Sequence, residues 1–312
     1  MKVFTSSRAA RAFCKKGTAL AIGNYDGIHQ GHRFILGLLA REAEKRDVPA
    51  VVYTFDPHPV RVLAPNVAPP LINTRRQKIG LLGLCGVSAT ILEKFTPSFS
   101  RLSAEDFFQK ILVDRLNPCF VIVGYDFTFG LRRQGNIETL ERLCFQNRID
   151  VKIVEPVLQK GTLVSSSLIR RYVREGRIAE ATRGLARPYF IEGRIIRGKQ
   201  RGLGIPTANL KSENELIPRE GVYATQTEIG KKKLKSVTNI GFNPTFGNRT
   251  LSIETHILGL KKRLVGRQIR LYFIDRIRSE KKFRSPKELV RQIRKDISAA
   301  KRIWRREKPW NL

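Results

Sequence analysis

The 312-residue chain is poor in the residues that build disulfide frameworks and membrane spans. It has four widely separated cysteines, none in a C-x-x-C pair: Cys14, Cys85, Cys119 and Cys144. Such cysteines favour buried thiols in a reducing compartment over a disulfide frame or a zinc site. No apolar run approaches the roughly 20 residues that span a bilayer, and the first residues lack the apolar region of a secretory signal. We therefore expect a cytoplasmic protein.

Acidic residues are also scarce, since 27 Asp and Glu stand against 59 Lys and Arg, a formal net charge of +32. A small anionic ligand needs only a few cations, so a polyphosphate substrate does not account for this excess. Attraction to nucleic acid is one interpretation, and a solvated basic surface is the other. Because the basic residues are spread along the chain and do not form one arm, we favour the solvated surface.

Histidine is rare as well, and each of the four lies beside glycine turns, prolines or carboxylates: His29, His32, His58 and His256. The first two follow the segment Gly-Asn-Tyr-Asp-Gly-Ile at 23–28, the third lies in Asp-Pro-His-Pro, and the last follows Glu-Thr. Imidazoles grouped in this way are typical of reactive sites. The pattern predicts an enzyme that handles nucleotides at two separate sites.

The first half of the chain alternates short apolar runs with segments of helical periodicity. The apolar runs cover 18–22, 50–55, 88–92, 119–123 and 151–154. Their spacing of about thirty residues is the length of a βαβ unit, and near-continuous apolar strands suit a parallel sheet covered on both faces. The pattern predicts a doubly wound α/β domain.

The second half has a different pattern, with short strands that are broken by Gly and Pro. Predicted strands cover 190–196, 221–227, 234–240, 252–258 and 268–274. Frequent turns without intervening helices favour an antiparallel barrel. A final helix starts with a capping Ser285, Pro286 and Glu288. The two patterns place a domain boundary near residue 185.

A glycine turn between the first strand and the first helix forms the first candidate site. Backbone N–H groups and the helix dipole there favour an anion. His29 and His32 are three residues apart, so they share a helical face and can donate to the same phosphate oxygens. Two surface histidines that cap a helix are the simpler alternative, but the Gly-x-x-x-Gly frame favours a phosphate site.

Two further segments bear on this site. Ser165, Ser166 and Arg170 supply hydroxyls and a fixed cation. They are either a plain helix cap or the second half of a clamp on ATP phosphates, which stabilises the displaced pyrophosphate. The 124–130 loop follows a strand at the carboxyl edge of the sheet, where α/β ligands bind. Its aromatic rings either stack on a flat ligand or belong to the core.

The second candidate site lies around Pro-Thr-Ala-Asn at 206–209. The Thr207 hydroxyl and the Asn209 carbonyl are hard oxygen ligands suited to Mg²⁺, and upstream glycines such as Gly198 let the backbone approach phosphates. A simple turn is the alternative. Glu254 alternates with Ser252 and His256 on one strand face. Such a carboxylate either faces solvent or accepts a proton from a substrate hydroxyl during phosphoryl transfer.

These segments resemble a known family. Residues 23–32, 54–59, 123–130 and 164–170, in this order, resemble the nucleotidyltransferase half of bacterial bifunctional riboflavin kinase/FMN adenylyltransferase (FAD synthetase). The second half is similar to riboflavin kinase at 187–189, 206–209, 221–223, 239–247, 254–257 and 280–283. Three features depart from the family pattern: a short 198–204 segment, Ala186 where glycine usually precedes Arg-Pro-Tyr, and Gly-Leu at 259–260.

The resemblance implies a Rossmann-like nucleotidyltransferase domain with a parallel sheet over 1–185. A small antiparallel β-barrel riboflavin kinase domain with a C-terminal helix follows over 186–312. It also implies phosphorylation of riboflavin to FMN in the barrel and adenylylation of FMN to FAD, with release of pyrophosphate, in the first domain. Mg²⁺ would be the cofactor and ATP the co-substrate. We expect no membrane partner and, despite the charge, no nucleic-acid partner.

The resemblance also assigns roles to individual residues. The catalytic residues it implies are Glu254 as the base, His29, His32 and Arg170. The ATP-binding residues are Gly23, Asn24, Asp26, Gly31, Ser165, Ser166, Gly198, Thr207 and Asn209, and Thr207 and Asn209 hold Mg²⁺. The flavin-binding residues are Asn24, His58, Asp126, Phe129 and Asn243.

Two other functions compete with this one. An RNA-binding protein built on a nucleotidyltransferase scaffold would use the positive charge, but the sequence has no recognisable RNA module. Such a protein also has no need for Thr207, Asn209 and Glu254 together. A tRNA-charging enzyme would share the histidine turn, but its second half would be an anticodon-reading domain and not a small barrel.

Overall fold

The computed structural model describes residues 1–159, 161–198, 205–245, 248–260 and 264–306, without the side chains of 243–250. The chain divides into two compact units, Met1–Val164 and Ser165–Leu312. None of the helices in the described residues is long and apolar enough to cross a membrane. Each unit has its own sheet.

The first unit is built on a six-stranded parallel sheet with the order β1-β4-β3-β2-β5-β6. Its strands are β1 (Lys2–Phe4), β2 (Thr18–Ile22), β3 (Ala50–Phe55), β4 (Ala89–Glu93), β5 (Pro118–Gly124) and β6 (Asp150–Val154). The central strand β2 is buried along its whole length, as expected for a strand covered on both faces. The predicted doubly wound α/β fold is confirmed, and the edge strand β1 is an addition to it.

Helices connect these strands: α1 (Ser7–Cys14), α2 (Gln30–Lys45), α3 (Pro59–Leu63), α4 (Arg75–Gly83), α5 (Ala104–Phe107) and α6 (Ile137–Gln146). A π-helical stretch, Phe108–Leu116, continues α5, and a hairpin of β7 (Leu158–Gln159) and β8 (Thr162–Leu163) follows the sheet. Because β2 lies between β3 and β5, the sheet order reverses direction at β2. Ligands of such sheets bind at the carboxyl ends of the strands beside this switch point.

The second unit is a closed antiparallel barrel with the order β10-β13-β12-β11-β14-β9. Its strands are β9 (Tyr189–Ile196), β10 (Ala208–Ser212), β11 (Gly221–Ile229), β12 (Lys232–Thr245), β13 (Asn248–Ile257) and β14 (Gln268–Arg278). The predicted barrel is confirmed. Strand β10 was not predicted, because its sequence reads as a turn and its strand geometry comes from pairing with β9 and β13.

Among the described residues of the barrel unit there are three helices: α7 (Ser166–Glu175), α8 (Ile178–Leu185) and α9 (Pro286–Arg306). The expected N-cap of α9 is present, since Ser285 Oγ accepts a hydrogen bond from Glu288 N at 3.2 Å. The division between the compact units falls before α7, whereas the sequence pattern changes after α8. The boundary at 185/186 between two catalytic domains therefore stays a prediction.

Two candidate nucleotide sites

The glycine turn after β2 is fixed by left-handed backbone conformations. Gly27 has φ +88°, and Tyr25 and Ile28 in the same turn have φ +48° and +43°. A Cβ on Gly27 would lie 2.8 Å from Ile72 Cδ1, so the side chain of any other residue would be strained and crowded there. Gly23 N donates to Tyr53 O at 3.1 Å, which anchors the start of the turn to β3. The turn is therefore a rigid loop at the carboxyl edge of the sheet.

The two histidines of this turn are in contact. The His29 and His32 rings stack with centroids 3.7 Å apart and planes inclined by 22°, and the Tyr25 ring lies 5.1 Å from that of His32. His29 is the N-cap residue of α2. A Cβ on Gly31 would approach His29 Cε1 to 3.2 Å, so glycine leaves room for the ring. The predicted pairing of the imidazoles at a helix N-terminus is thus present.

The environment of His32 keeps its imidazole uncharged. Its Nδ1 is buried and makes no hydrogen bond to any residue that the structure describes. Burial holds the pKa of His32 well below its usual value, and the nearby charges of His29 and Lys78 lower it further. At neutral pH this ring can donate a hydrogen bond to a phosphate but supplies no positive charge.

Asp26 and Asn24 connect the turn to its surroundings. Asp26 is buried and its carboxylate accepts hydrogen bonds from Ile72 N, at 3.0 and 3.1 Å, and from Asn73 N at 3.3 Å. This contact ties the turn to the segment before α4. Asn24 is exposed, and its carbonyl accepts a hydrogen bond from Thr54 Oγ1 at 3.2 Å. The ATP-binding roles of Asp26 and Asn24 stay predictions.

Lys78 is a member of this site that the sequence did not reveal. It lies on α4, and its ammonium donates to Thr54 Oγ1 at 2.8 Å. Burial lowers the pKa of Lys78 to about 8, although the charges of Asp26 and Asp56 act in the opposite direction. A single lysine in a helix carries no local signal of function, so only the tertiary structure could have found it.

The residues predicted to bind flavin have different surroundings. His58 is the half-buried N-cap of α3, and its Nδ1 accepts a hydrogen bond from Val60 N at 3.3 Å. Asp126 is exposed in the loop after β5. Phe129 is buried, with its ring 5.5 Å from Phe127 and 5.8 Å from Phe107. Of the two alternatives for Phe129, the core position is the one observed, and a flavin-binding role for it stays a prediction.

The serine and arginine segment begins α7 in the second unit. Ser165 is the N-cap, and its hydroxyl accepts a hydrogen bond from Leu168 N at 3.2 Å. Ser166 opens the helix, and Arg170 is buried one turn later. Ser165 therefore caps the helix. The role of these residues in a clamp on ATP phosphates stays a prediction.

A row of polar residues crosses three strands of the barrel. Asn209 on β10 is paired with Glu254 on β13, and Glu254 is paired with Asn239 on β12. Residues that are directly paired in an antiparallel sheet project to the same face with Cβ atoms about 5 Å apart. All three are half-buried, whereas Ile253 and Thr255 on either side of Glu254 are buried. The expected alternation along β13 is confirmed, and Asn239 lies in the same row as the predicted site residues Asn209 and Glu254.

The residues just before β10 are held by a contact from β13. His256 Nδ1 is hydrogen-bonded to Pro206 O at 2.8 Å, next to the exposed Thr207. A Cβ on Gly198 would overlap the side-chain amide of Asn209, so a bare α-carbon is required beside that amide. Residues 199–204 of the glycine segment lie outside the described residues, as does the side chain of Asn243.

The polar row faces a cavity of about 1620 Å³ inside the barrel unit, lined by Asn209, Asn239, Glu254 and by apolar residues that include Val222, Val237 and Phe283. Helix α9 forms one wall, and a two-point ion pair holds it there, since Arg278 Nε and Nη2 lie 2.9 and 2.8 Å from the carboxylate oxygens of Asp296. A pocket with apolar walls and a few converging polar groups suits a ligand with a flat ring and a polar tail.

The described residues bring together only a few oxygen ligands for a hard cation. No group of three or more His, Cys, Asp or Glu side chains that could hold a metal ion occurs among them. Mg²⁺ commonly takes one or two protein oxygens and completes its shell with substrate phosphates and water. Asn209, Thr207 and Glu254 at the cavity provide oxygens of that kind, so these residues fit Mg²⁺ bound together with a nucleotide.

Comparison with known proteins identifies the family of each half of the chain. The family model for FAD synthetase matches residues 12–168, and the model for riboflavin kinase matches residues 185–304. The bifunctional riboflavin kinase/FMN adenylyltransferase of Escherichia coli (strain K12) is 34% identical over 298 residues, which is 95% of both chains. The protein of the same name from Bacillus subtilis (strain 168) is 34% identical and covers 92% of both chains.

A solved structure has a similar fold. It is described as a macrolide-efflux protein from Streptococcus pneumoniae, and it matches with a TM-score of 0.83 and 29% sequence identity. The match covers 91% of this chain and 94% of that chain. The two family models and the curated relatives lead to one conclusion: the chain belongs to the bifunctional riboflavin kinase/FMN adenylyltransferase family.

Proposed function

We propose that the barrel unit phosphorylates riboflavin to FMN and that the parallel-sheet unit adenylylates FMN to FAD. The observation that carries the first reaction is the pairing of Asn209 with Glu254 across β10 and β13. The family models and the relatives support both activities. They give no support to an RNA-binding protein on the same scaffold.

In the barrel, Glu254 is positioned to act as the base. Its carboxylate accepts a hydrogen bond from Ser252 Oγ at 3.1 Å and lines the cavity. A hydroxyl of riboflavin beside Glu254 would lose its proton to the carboxylate as its oxygen bonds to the γ-phosphorus of ATP, and ADP leaves. Thr207 and Asn209 would hold Mg²⁺ with ATP, and the ion would neutralise charge on the phosphates when bound.

In the parallel-sheet unit, a phosphate oxygen of FMN would bond to the α-phosphorus of ATP. The bond between that phosphorus and the α,β-bridging oxygen breaks, and pyrophosphate leaves with the electron pair. His29 and His32 would donate hydrogen bonds to phosphate oxygens at the N-terminus of α2, where the helix dipole also favours an anion. Ser165, Ser166 and Arg170 would complete the grip on ATP.

Three broader assignments belong to this proposal. The catalytic domains would be residues 1–185 and 186–312, which is supported by the start of the riboflavin kinase match at residue 185. A cytoplasmic location is supported by the four free cysteines. The partners would be the small molecules riboflavin, FMN and ATP.

One incubation tests the two activities. The purified protein is mixed with riboflavin, ATP and Mg²⁺, and the flavins are separated by chromatography; we expect both FMN and FAD. Glu254→Ala should stop formation of FMN but still convert added FMN to FAD, and His32→Ala should do the reverse. If either substitution abolished both reactions in a folded protein, the two-site proposal would be wrong.

A further inference from the structure

We infer that Lys78 is a further cation that contacts the phosphates during adenylyl transfer in the parallel-sheet unit. This inference rests on the proposed FMN adenylylation. It assigns a phosphate-binding role to a residue that lies outside the glycine turn and outside the serine and arginine segment.

A relay of hydrogen bonds places Lys78 at the start of the glycine turn. The ammonium donates to Thr54 Oγ1 at 2.8 Å, and the same hydroxyl donates to the carbonyl of Asn24 at 3.2 Å. Thr54 lies near the carboxyl end of β3, beside the switch point of the sheet. An ammonium has three N–H groups, and this relay uses one of them. Lys78 is half-buried, so a ligand in the crevice can approach it.

The carboxylates that face Lys78 have other donors. Asp26 accepts hydrogen bonds from Ile72 N and Asn73 N. Asp56 forms an ion pair with Arg75, whose Nε lies 3.3 Å from Asp56 Oδ2. Both carboxylates raise the pKa of Lys78, but burial outweighs them and brings it to about 8. An ammonium that is partly desolvated and only partly compensated gains most from an added anion.

The histidines do not replace this charge. His32 faces Lys78 from α2, and its pKa lies well below the usual value because of burial and of the charges on His29 and Lys78. It is therefore neutral at pH 7 and contributes a hydrogen bond alone. The phosphate of FMN must approach the α-phosphate of ATP for adenylyl transfer, and a fixed positive charge between them lowers their repulsion. The same charge stabilises the negative charge that develops on the leaving pyrophosphate. Lys78, which lies beside this turn, is placed to provide it.

The test compares Lys78→Met with Lys78→Arg. Conversion of FMN to FAD is measured as kcat/KM from pH 6.5 to 10, and riboflavin phosphorylation in the same preparation reports folding. For the wild type, kcat/KM should fall above pH about 8, because this ratio follows the free enzyme. Lys78→Met should lower it on the order of 100-fold at pH 7, mainly through kcat. Lys78→Arg should restore part of the activity and shift the alkaline fall to higher pH.

The control is Lys45→Met, which removes an exposed lysine at the end of α2 and should change neither reaction. The inference is overturned if Lys78→Met keeps its adenylylation rate, if Lys78→Arg leaves the alkaline fall in place, or if Lys78→Arg is as inactive as Lys78→Met while the kinase reaction persists. A wild-type protein that forms no FAD would instead contradict the proposed function. The two failures are therefore distinguishable.

Discussion

Asn209 and Glu254 are directly paired across the antiparallel strands β10 and β13. The two side chains therefore project to one face of the barrel and line the same cavity. This pairing brings an amide suited to a Mg²⁺-nucleotide complex next to the carboxylate that would deprotonate the substrate. Phosphoryl transfer would depend on both groups at once.

The first prediction concerns this dependence. Asn209→Ala and Glu254→Gln should each lower the riboflavin kinase rate by about 100-fold or more, and the double variant should lose much less than the product of the two effects. Residues that act on one transition state are not additive. The rate is measured by separating FMN from riboflavin. Fully multiplicative effects would contradict a shared site.

The matched control is Glu228→Gln. Glu228 lies on β11, where its carboxylate accepts a hydrogen bond from Tyr272, and the substitution should have little effect on the kinase rate.

Gly198→Ala should weaken nucleotide binding in the barrel with little effect on stability. The added methyl group would overlap the Asn209 side-chain amide, which can turn away at small cost and would then point away from the ligand. We expect KM for ATP in riboflavin phosphorylation to rise about tenfold, with FAD formation from added FMN unchanged. Gly37→Ala is the control, because a Cβ there meets nothing within 4 Å. An unchanged KM would show that Asn209 has no role in ATP binding.

The His32 ring should stay neutral through physiological pH. Its pKa in the folded protein is well below the usual value, so its ring resonances in a ¹H–¹³C spectrum should not shift between pH 6 and 8; His32→Gln assigns them. In the unfolded chain the His32 imidazole takes up a proton near pH 6.5. In the folded protein its lowered pKa keeps it neutral at that pH. Folding stability should therefore fall as pH decreases below about 6.5, and less so in His32→Gln. A ring that titrates near 6.5 would contradict the structure.

Ala186→Gly should stabilise the barrel unit. Ala186 ends α8 with φ +53°, a left-handed conformation that costs an alanine more than a glycine. Glycine also has greater conformational entropy in the unfolded chain, which offsets part of this benefit. We therefore expect the free energy of unfolding, measured in urea, to rise by about 0.5 kcal/mol. Ala299→Gly, in the interior of α9, should instead cost about 1 kcal/mol. If both variants lost stability, strain at Ala186 would be absent.

The strand pattern of the fold could be predicted because it depends on local composition. The apolar runs at 18–22 and 50–55 coincide with β2 and β3, since strands buried on both faces need apolar residues throughout. β10 could not be predicted in this way. Its residues pair with β9 on one side and β13 on the other, and these partners are distant in sequence.

The candidate sites were predictable to the extent that their residues are clustered in sequence. His29 and His32 were found because glycines and an aspartate surround them, and Glu254 because it alternates along a strand. Lys78 was missed, and Asn239 was noted only as the first residue of the 239–247 segment, without a role of its own. Lys78 joins the glycine turn through Thr54, and Asn239 joins Glu254 through strand register, so neither relationship leaves a trace in the local sequence.

The sequence by itself determined the family, the parallel sheet, the barrel and the chemical types of the principal side chains, because these follow from motifs and from the periodicity of apolar residues. Only the tertiary structure decided the buried environment that lowers the pKa of His32, the core position of Phe129, and the placement of Lys78 and Asn239 beside predicted site residues. Burial, register and the distances between charges arise when remote segments pack together, and they set pKa values and neighbours that no single segment contains.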